Sequence, residues 1–333
     1  MKRIAVIGFG FMGTMHSRQL LLNKGVELAA IIEKDAASVK KKLDAPEGNL
    51  TVGEVNNKAL LKVPVYKSLQ DCLKEQKLDA VHICVHTNLH YSLVKEALQN
   101  NLHVLVEKPF VLDVKEGEEL ILLAKEKQRI LMVAHVVRFM SPYKRLLNMI
   151  NSKEYGKLKF LSLSRFSGVP QWGQWLEKQK EFGSSGGALF DLVIHDIDFA
   201  AFALGFPQII ENKTLLPGRL SNHDYLSATW FYPESKITVK IEGGFFHAQF
   251  PFRAEYTTVF ERATVRFSTN DADNIQISSD AEEIIIPAND LGDGYFNEIQ
   301  LFVDSILKGS LPEEHSAGSA LETISLCYRH LES

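Results

Sequence analysis

Three groups of residues in this chain have the types and spacing to do chemistry. The first lies in "VIGFGFMG", where Gly8, Gly10 and Gly13 fall in G-x-G-x-x-G spacing and Glu33 follows twenty residues beyond Gly13. Glycines there let the backbone approach a pyrophosphate. The pyrophosphate then rests on the helix N-terminus formed by Phe11, Met12 and Gly13. A carboxylate at Glu33 accepts hydrogen bonds from the adenosine ribose hydroxyls and repels a 2′-phosphate. The bland alternative is a glycine turn with no ligand. A strand before the run and a helix after it favour a dinucleotide, so NAD is the expected cofactor.

The second group is "VEKPF", where an apolar run ends in Glu107, Lys108 and Pro109. Proline disfavours helical geometry at Lys108 and removes a backbone donor, so the chain stays extended past the strand. A lysine held beside a positive nicotinamide ring has a lowered pKa, suited to proton transfer or to polarising a substrate oxygen. The residues alone leave a solvated ion pair at a strand exit equally open.

The third group lies in "SSGGALFDLVIHDIDFAAFALG". Between Ala188 and Phe206 there is no Lys, Arg, Glu or Gln, which predicts a buried helix. Asp191, His195 and Asp198 stand at i, i+4 and i+7, one stripe of that helix. An aspartate four residues before a histidine fixes the imidazole tautomer and raises its basicity, the arrangement of a general base and its orienter. The alternative is an Asp–His hydrogen bond that only serves a core. Gly186 and Gly187, just upstream, let the backbone pass close to a ligand or a strand.

Other residues belong around these groups. Thr87, Asn88 and His90 fall in the loop "VHTNLH", expected at the carboxyl edge of a parallel sheet, where ligands bind. His82, His86 and His90 have a spacing that would suggest a metal on a helix, but "DAVHICV" reads as a strand, so no metal is expected. Trp172 and Trp175 lie in a polar loop, as the apolar wall of a carbohydrate or cyclitol site or as interface residues. Arg138 and Tyr143 stand at the domain crossover, either facing the cleft or acting as tethers.

The elements that must position these residues follow from periodicity. Short apolar runs alternate with helical patterns up to about residue 136, the signature of βαβ units and a parallel sheet. From residue 137 to 333 strand-like segments dominate: "KLKFLSLSRF", "DYLSATWFY", "SKITVKIEGGFF", "FRAEYTTVFERATVRFS" and "IQISSDAEEIII". Several adjoin without helices between them, so the second sheet should be mainly antiparallel. The expected class is α/β, with a dinucleotide-binding domain at 1–136 and a substrate-binding and oligomerisation domain at 137–333. Two helices close the chain.

Composition bounds the partners. The 333 residues are 45% apolar and 23% charged with net charge −4, which disfavours nucleic acid or an anionic membrane as the main partner. Three scattered cysteines make a disulfide framework or zinc site unexpected. No run is long enough for a membrane helix, and the first residues enter a strand directly, so a cytoplasmic protein is expected. Aromatic residues in "SATWFYP" and "EGGFFHAQFPF" exceed what a solvated sheet face should carry. A homodimer or homotetramer through that sheet is therefore expected.

Together, "GFGFMG", "HTNLHYSLVKEAL", "VEKPF", "HVVRFMSPY", "GGALFDLVIHDID" and "YFNEIQLFVDSILKG" resemble the glucose–fructose oxidoreductase and inositol dehydrogenase (Gfo/Idh/MocA) family, over nearly the whole chain. The resemblance implies a Rossmann domain followed by an α/β domain with a large open, mostly antiparallel sheet. It implies NAD, with NADP as the alternative, and oxidation of a secondary hydroxyl on a sugar, cyclitol or derivative in the cleft between domains. By position, Lys108 matches the family's EKP lysine, and Asp191 and His195 its catalytic pair. One departure is that Glu33 stands where the family often has Asp. Lys34 follows it and would tolerate a 2′-phosphate. A reductase of non-sugar substrates, or a non-catalytic sensor of dinucleotide and sugar, remain the other readings.

Overall fold

The computed structural model describes residues 1–44, 57–170, 186–271 and 274–332. The chain divides into two compact units, Met1–His135 with Tyr295–Glu322, and Val136–Gly294 with Thr323–Ser333.

The first unit is built on strands β1 (Lys2–Ile7), β2 (Val26–Ile32), β3 (Val65–Tyr66), β4 (Ala80–Ile83), β5 (His103–Glu107) and β6 (Leu131–Ala134). They form one parallel sheet in the order β3-β2-β1-β4-β5-β6. Near-continuous apolar runs make these strands, because a parallel sheet is covered on both faces; Ile4 to Ile7 are all buried. The helices are α1 (Phe11–Leu22), α2 (Ser38–Asp44), α3 (Asn57–Leu60), α4 (Leu69–Glu75), α5 (His90–Gln99) and α6 (Val114–Glu126). On α5, His90, Val94, Ala97 and Leu98 are buried, a stripe of helical period that faces the sheet. The Asp113 side chain caps α6 by accepting the Lys115 amide. The strand order reverses between β1 and β4, so the loops after these strands diverge and leave a crevice at their carboxyl ends.

The second unit carries α7 (Ser141–Ser152), β7 (Leu158–Gly168) and α8 (Ile194–Leu204), then seven further strands. These are β8 (Ile209–Leu216), β9 (Tyr225–Tyr232), β10 (Ile237–Phe246), β11 (Arg253–Phe260), β12 (Ala263–Ser268), β13 (Asn274–Ser279) and β14 (Glu283–Pro287). The sheet order is β14-β13-β12-β11-β7-β10-β9-β8. Among the described strands only the β7–β10 pair is parallel; every other neighbouring pair is antiparallel, as the sequence pattern predicts. Along β9, Leu226, Ala228, Trp230 and Tyr232 are buried and alternate with half-exposed residues.

Several details differ from the sequence reading. Strand β8 was not anticipated. The segment "FRAEYTTVFERATVRFS" is a hairpin of β11 and β12, and "IQISSDAEEIII" is β13 and β14. After β6 the chain turns into a short 3₁₀ segment at Val136–Phe139. Trp230 and Tyr232 of "SATWFYP" are buried in the chain's own core, so they are not aromatic surplus on the outer face. The closing helices are α9 (Gly294–Lys308) and α10 (Ala317–Leu331). Residues 295–322 group with the first unit, where Phe302 packs edge-on against His82 and Asn23 bonds Gln300. Among the described residues, no helix is long and apolar enough to cross a membrane.

Candidate active site

At the end of β1 the chain turns through Gly8 with φ +87°. A Cβ on Gly8 would lie 2.5 Å from the Cys84 carbonyl oxygen, and one on Gly13 would lie 1.9 Å from that of Gly8. Both positions therefore require glycine. Gly10 differs: among the described residues a Cβ there would meet nothing within 4 Å. It borders open space at the start of α1, and its carbonyl accepts the Thr14 amide. No side chain caps this helix and no acid lies in its first turn. The amides of Phe11, Met12 and Gly13 are thus among the four that an α-helix leaves unpaired within itself, with the positive end of the helix behind them. The residues present fit a dinucleotide pyrophosphate.

Glu33, just past β2, is fixed against this turn. Its Oε2 accepts the Phe9 amide at 3.0 Å and the Lys42 ammonium at 2.9 Å, and Oε1 accepts the Asp35 amide at 3.3 Å. Burial pushes the Glu33 carboxyl up, but these bonds outweigh it and hold it below its ordinary value. Lys34 is exposed. The cation that meets Glu33 is Lys42 on α2, which sequence reasoning passed over; its signal was the lysine run "VKKKL".

After β4, Thr87 opens a 3₁₀ turn, and Asn88 beside it is exposed. His90 is buried. Its Nδ1 lies 2.9 Å from the Pro109 carbonyl oxygen and 3.2 Å from that of Phe110, and its Nε2 lies 3.1 Å from that of Val85. It clamps the loop after β4 to the loop after β5. Burial lowers the His90 pKa, against the opposing pull of these three carbonyls.

Glu107 ends β5 in the interior. Its Oε1 accepts from His16 Nε2 at 3.1 Å, and its Oε2 accepts the Lys108 amide at 3.2 Å. His16 Nδ1 in turn shares a proton with His82 Nδ1 across 3.1 Å. Burial pushes the Glu107 carboxyl up, but His16 and the charge of Lys108 bring it below its ordinary value. Burial, with His16 nearby, pushes His82 well down, so it is neutral. The pair at the end of β5 is therefore not a solvated ion pair: Glu107 turns inward to His16, and Lys108 follows half-buried. The Lys108–Pro109 peptide is cis. His82 and His90 are buried with different partners and His86 is exposed, so the three histidines share no centre.

In the second unit, Asp191 lies in a π turn, Leu189–Val193, and His195 in the first turn of α8; both are half-buried. Such π turns recur at functional sites. The predicted stripe does not hold together at Asp198. That residue accepts a bidentate pair from Arg138, Nε to Oδ2 at 2.7 Å and Nη2 to Oδ1 at 2.5 Å, and a bond from Thr323 at 3.0 Å. Asp196 binds Arg165 the same way, at 2.8 and 3.0 Å, and Arg165 also donates to the Tyr143 hydroxyl at 2.9 Å. Burial works against the Arg165 charge, but Asp196 and Tyr143 outweigh it and raise its pKa. Arg138 and Tyr143 are both buried in this network, which ties them to α8. Gly186 and Gly187 both have positive φ. A Cβ on Gly187 would lie 1.8 Å from Ser221 Oγ, so the close approach is to the chain's own loop. Trp172 and Trp175 lie outside the described residues.

The oxidoreductase family with an NAD-binding Rossmann fold matches residues 2–135, and the GFO/IDH/MocA C-terminal domain matches residues 143–266. The chain belongs to the GFO/IDH/MocA oxidoreductase family. It is 28% identical over 241 residues to the uncharacterized oxidoreductase YdgJ of Escherichia coli, covering 71% of this chain and 63% of that protein. It is 27% identical over 206 residues to the myo-inositol 2-dehydrogenase of Thermotoga maritima, covering 61% of this chain and 55% of that one. In both cases the matched region spans less than two thirds of the relative. The solved structure of KijD10, a 3-ketoreductase from Actinomadura kijaniata in complex with NADP and TDP-benzene, superposes with a TM-score of 0.78 at 20% identity, over 98% of this chain and 96% of that one. That likeness shows a shared fold.

Proposed function

We propose that this chain is an NAD-dependent dehydrogenase that moves a hydride between nicotinamide and a secondary hydroxyl or ketone of a sugar, cyclitol or derivative. The observation that carries the reading is the Gly8–Gly13 turn with Glu33 bonded to it. Open space at Gly10 and an acid-free helix N-terminus suit a dinucleotide, and the carboxylate suits its adenosine ribose. The class of substrate rests on family membership and on the myo-inositol 2-dehydrogenase relative.

The bound cofactor supplies the hydride acceptor. In the reading, His195 takes the hydroxyl proton. Asp191, one turn earlier, is the residue that would orient the imidazole. The ammonium of Lys108 stabilises the developing alkoxide. His16 and Glu107 hold the backbone from which Lys108 projects, and the Arg138–Asp198 and Arg165–Asp196 pairs hold α8 in place.

The reading is tested by a panel of polyols, cyclitols and sugars with NAD, followed as NADH absorbance. Substrate-dependent NADH formation with one class supports it. No signal across the panel, with NADH binding intact, defeats it in favour of a sensor. We also propose assembly as a homodimer or homotetramer through the second sheet. Light scattering that finds only monomer at micromolar concentration defeats that part.

A further inference from the structure

The carboxylate of Glu33 has about four lone-pair sites, two on each oxygen. Both sites on Oε2 are occupied, by the Phe9 amide and by Lys42 Nζ, and one on Oε1 by the Asp35 amide. One site is left. Two ribose hydroxyls of an adenosine need two, so one existing contact must yield. The amide of Phe9 cannot, because Phe9 is buried within the glycine turn, and release of the exposed 3.3 Å Asp35 amide would free Oε1 but leave the Lys42 charge on Oε2. The Lys42 ammonium can yield. It ends a flexible four-carbon stem on the short helix α2, and its side chain is 37% exposed against 15% for Glu33. Displaced from Glu33, it would still be tethered on α2 close to that carboxylate, within reach of a 2′-phosphate on a ribose bound there.

We infer that Lys42 is a specificity-determining residue of the adenosine end. It competes with the ribose hydroxyls for Glu33 and supplies the counter-charge when the ribose carries a 2′-phosphate. The inference rests on the reading that Glu33 meets the adenosine ribose. It makes the two cofactors respond in opposite senses to one substitution. Lys42→Met keeps the stem and removes the charge. NADH then meets a carboxylate with two sites open, and NADPH meets one with no cation to offset it.

The experiment is calorimetric titration of NADH and NADPH into the full-length chain and into Lys42→Met, Lys42→Arg and Glu33→Ala, with melting temperature as the control for folding. In Lys42→Met, NADPH should bind roughly tenfold more weakly, the scale of one charge-assisted contact to phosphate. NADH should bind as tightly as to the parent or a few-fold more tightly. Lys42→Arg keeps the charge and should keep the NADPH affinity. Equal losses for both cofactors in Lys42→Met, an unchanged NADPH affinity, or a parent with no measurable NADPH affinity would each overturn the inference. Glu33→Ala separates the two levels. If it weakens NADH while Lys42→Met fails to split the cofactors, the ribose reading stands and Lys42 does not decide. If Glu33→Ala changes neither affinity, the ribose reading and the inference fall together.

Discussion

Lys108 and His195 should show their roles at the chemical step and not in cofactor binding. A general acid or base contributes about 10²–10⁴-fold, so Lys108→Ala and His195→Ala should each turn over substrate at least about a hundredfold more slowly. Both should bind NADH nearly as the parent does. Asp191→Asn should cost less if Asp191 only orients the imidazole, and more if its charge stabilises the imidazolium. If Asp191 and His195 merely serve the core, the outcome differs: His195→Ala would lower the melting temperature, and activity would fall only in step with the folded fraction. Near-parental turnover in Lys108→Ala would leave Glu107 as the reason for the charged end of β5. That carboxylate has a structural partner in His16, a contact the sequence could not announce. His16 sits 91 positions away on α1, and nothing in its own neighbourhood marks it as facing β5. Lys42 escaped for a related reason, since a lysine run on a short helix reads as solvated surface until the fold brings it to Glu33.

The elements were legible where burial is two-sided or strictly alternating. Strands β1, β2, β4 and β5 announce themselves as apolar runs, and β9 by period-two alternation. Strand β8 does not, because it is a sheet edge whose eight residues include none that is buried, so its sequence "IIENKTLL" carries no face to detect. The helix bearing Asp191 and His195 was legible as buried, but its polar residues were not sortable by spacing. Asp191, His195 and Asp198 share a predicted stripe, yet Asp198 and Asp196 are taken by Arg138 and Arg165, from the 3₁₀ turn after β6 and from β7. Which aspartate finds an arginine depends on packing between distant elements. A substitution at Arg138 decides whether its tether is its whole role. Removing one partner of a buried pair leaves an uncompensated charge, so Arg138→Met should destabilise the chain by about 3–5 kcal/mol. Adding Asp198→Asn should recover much of that loss, because the orphaned charge is then gone. Chemical denaturation of the two variants measures this. An Arg138→Met protein of parental stability with a raised KM would place the guanidinium on the substrate instead.

Both units hold histidines that folding keeps neutral, and this gives the whole chain a defined acid response. In the first unit burial, with His16 nearby, pushes His82 well below its ordinary range, and burial lowers His90 as well. His103, whose Nδ1 accepts the Ile130 amide, is pushed down to about 4 by burial and by Arg129 and Lys2 nearby. In the second unit His330 is pushed down to about 4, chiefly by burial. Its Nε2 accepts from the Trp230 indole at 2.8 Å while its Nδ1 donates to the Leu326 carbonyl, so protonation would cost the indole its acceptor. The sign follows from the protons bound. Below about pH 6.5 the unfolded chain takes up protons at these rings and the folded chain does not, so stability falls with pH. Their contribution is complete above about pH 6.5 and is lost progressively down to the folded pKa values. A deeply buried ring such as His330 supplies up to about 1.4 kcal/mol per pH unit, and the more exposed His103 less, because solvent screens it. Carboxylates held below their ordinary values, Glu33 and Glu107 among them, add their loss only at lower pH, which leaves about pH 5–7 to the histidines. Melting temperature should therefore drop steadily across that window. His330→Gln, which cannot titrate, should melt with a shallower pH slope than the parent, whatever its stability at neutral pH. A parent whose melting temperature is flat across the window, or a His330→Gln slope equal to the parental one, would show that these rings are not kept neutral by folding.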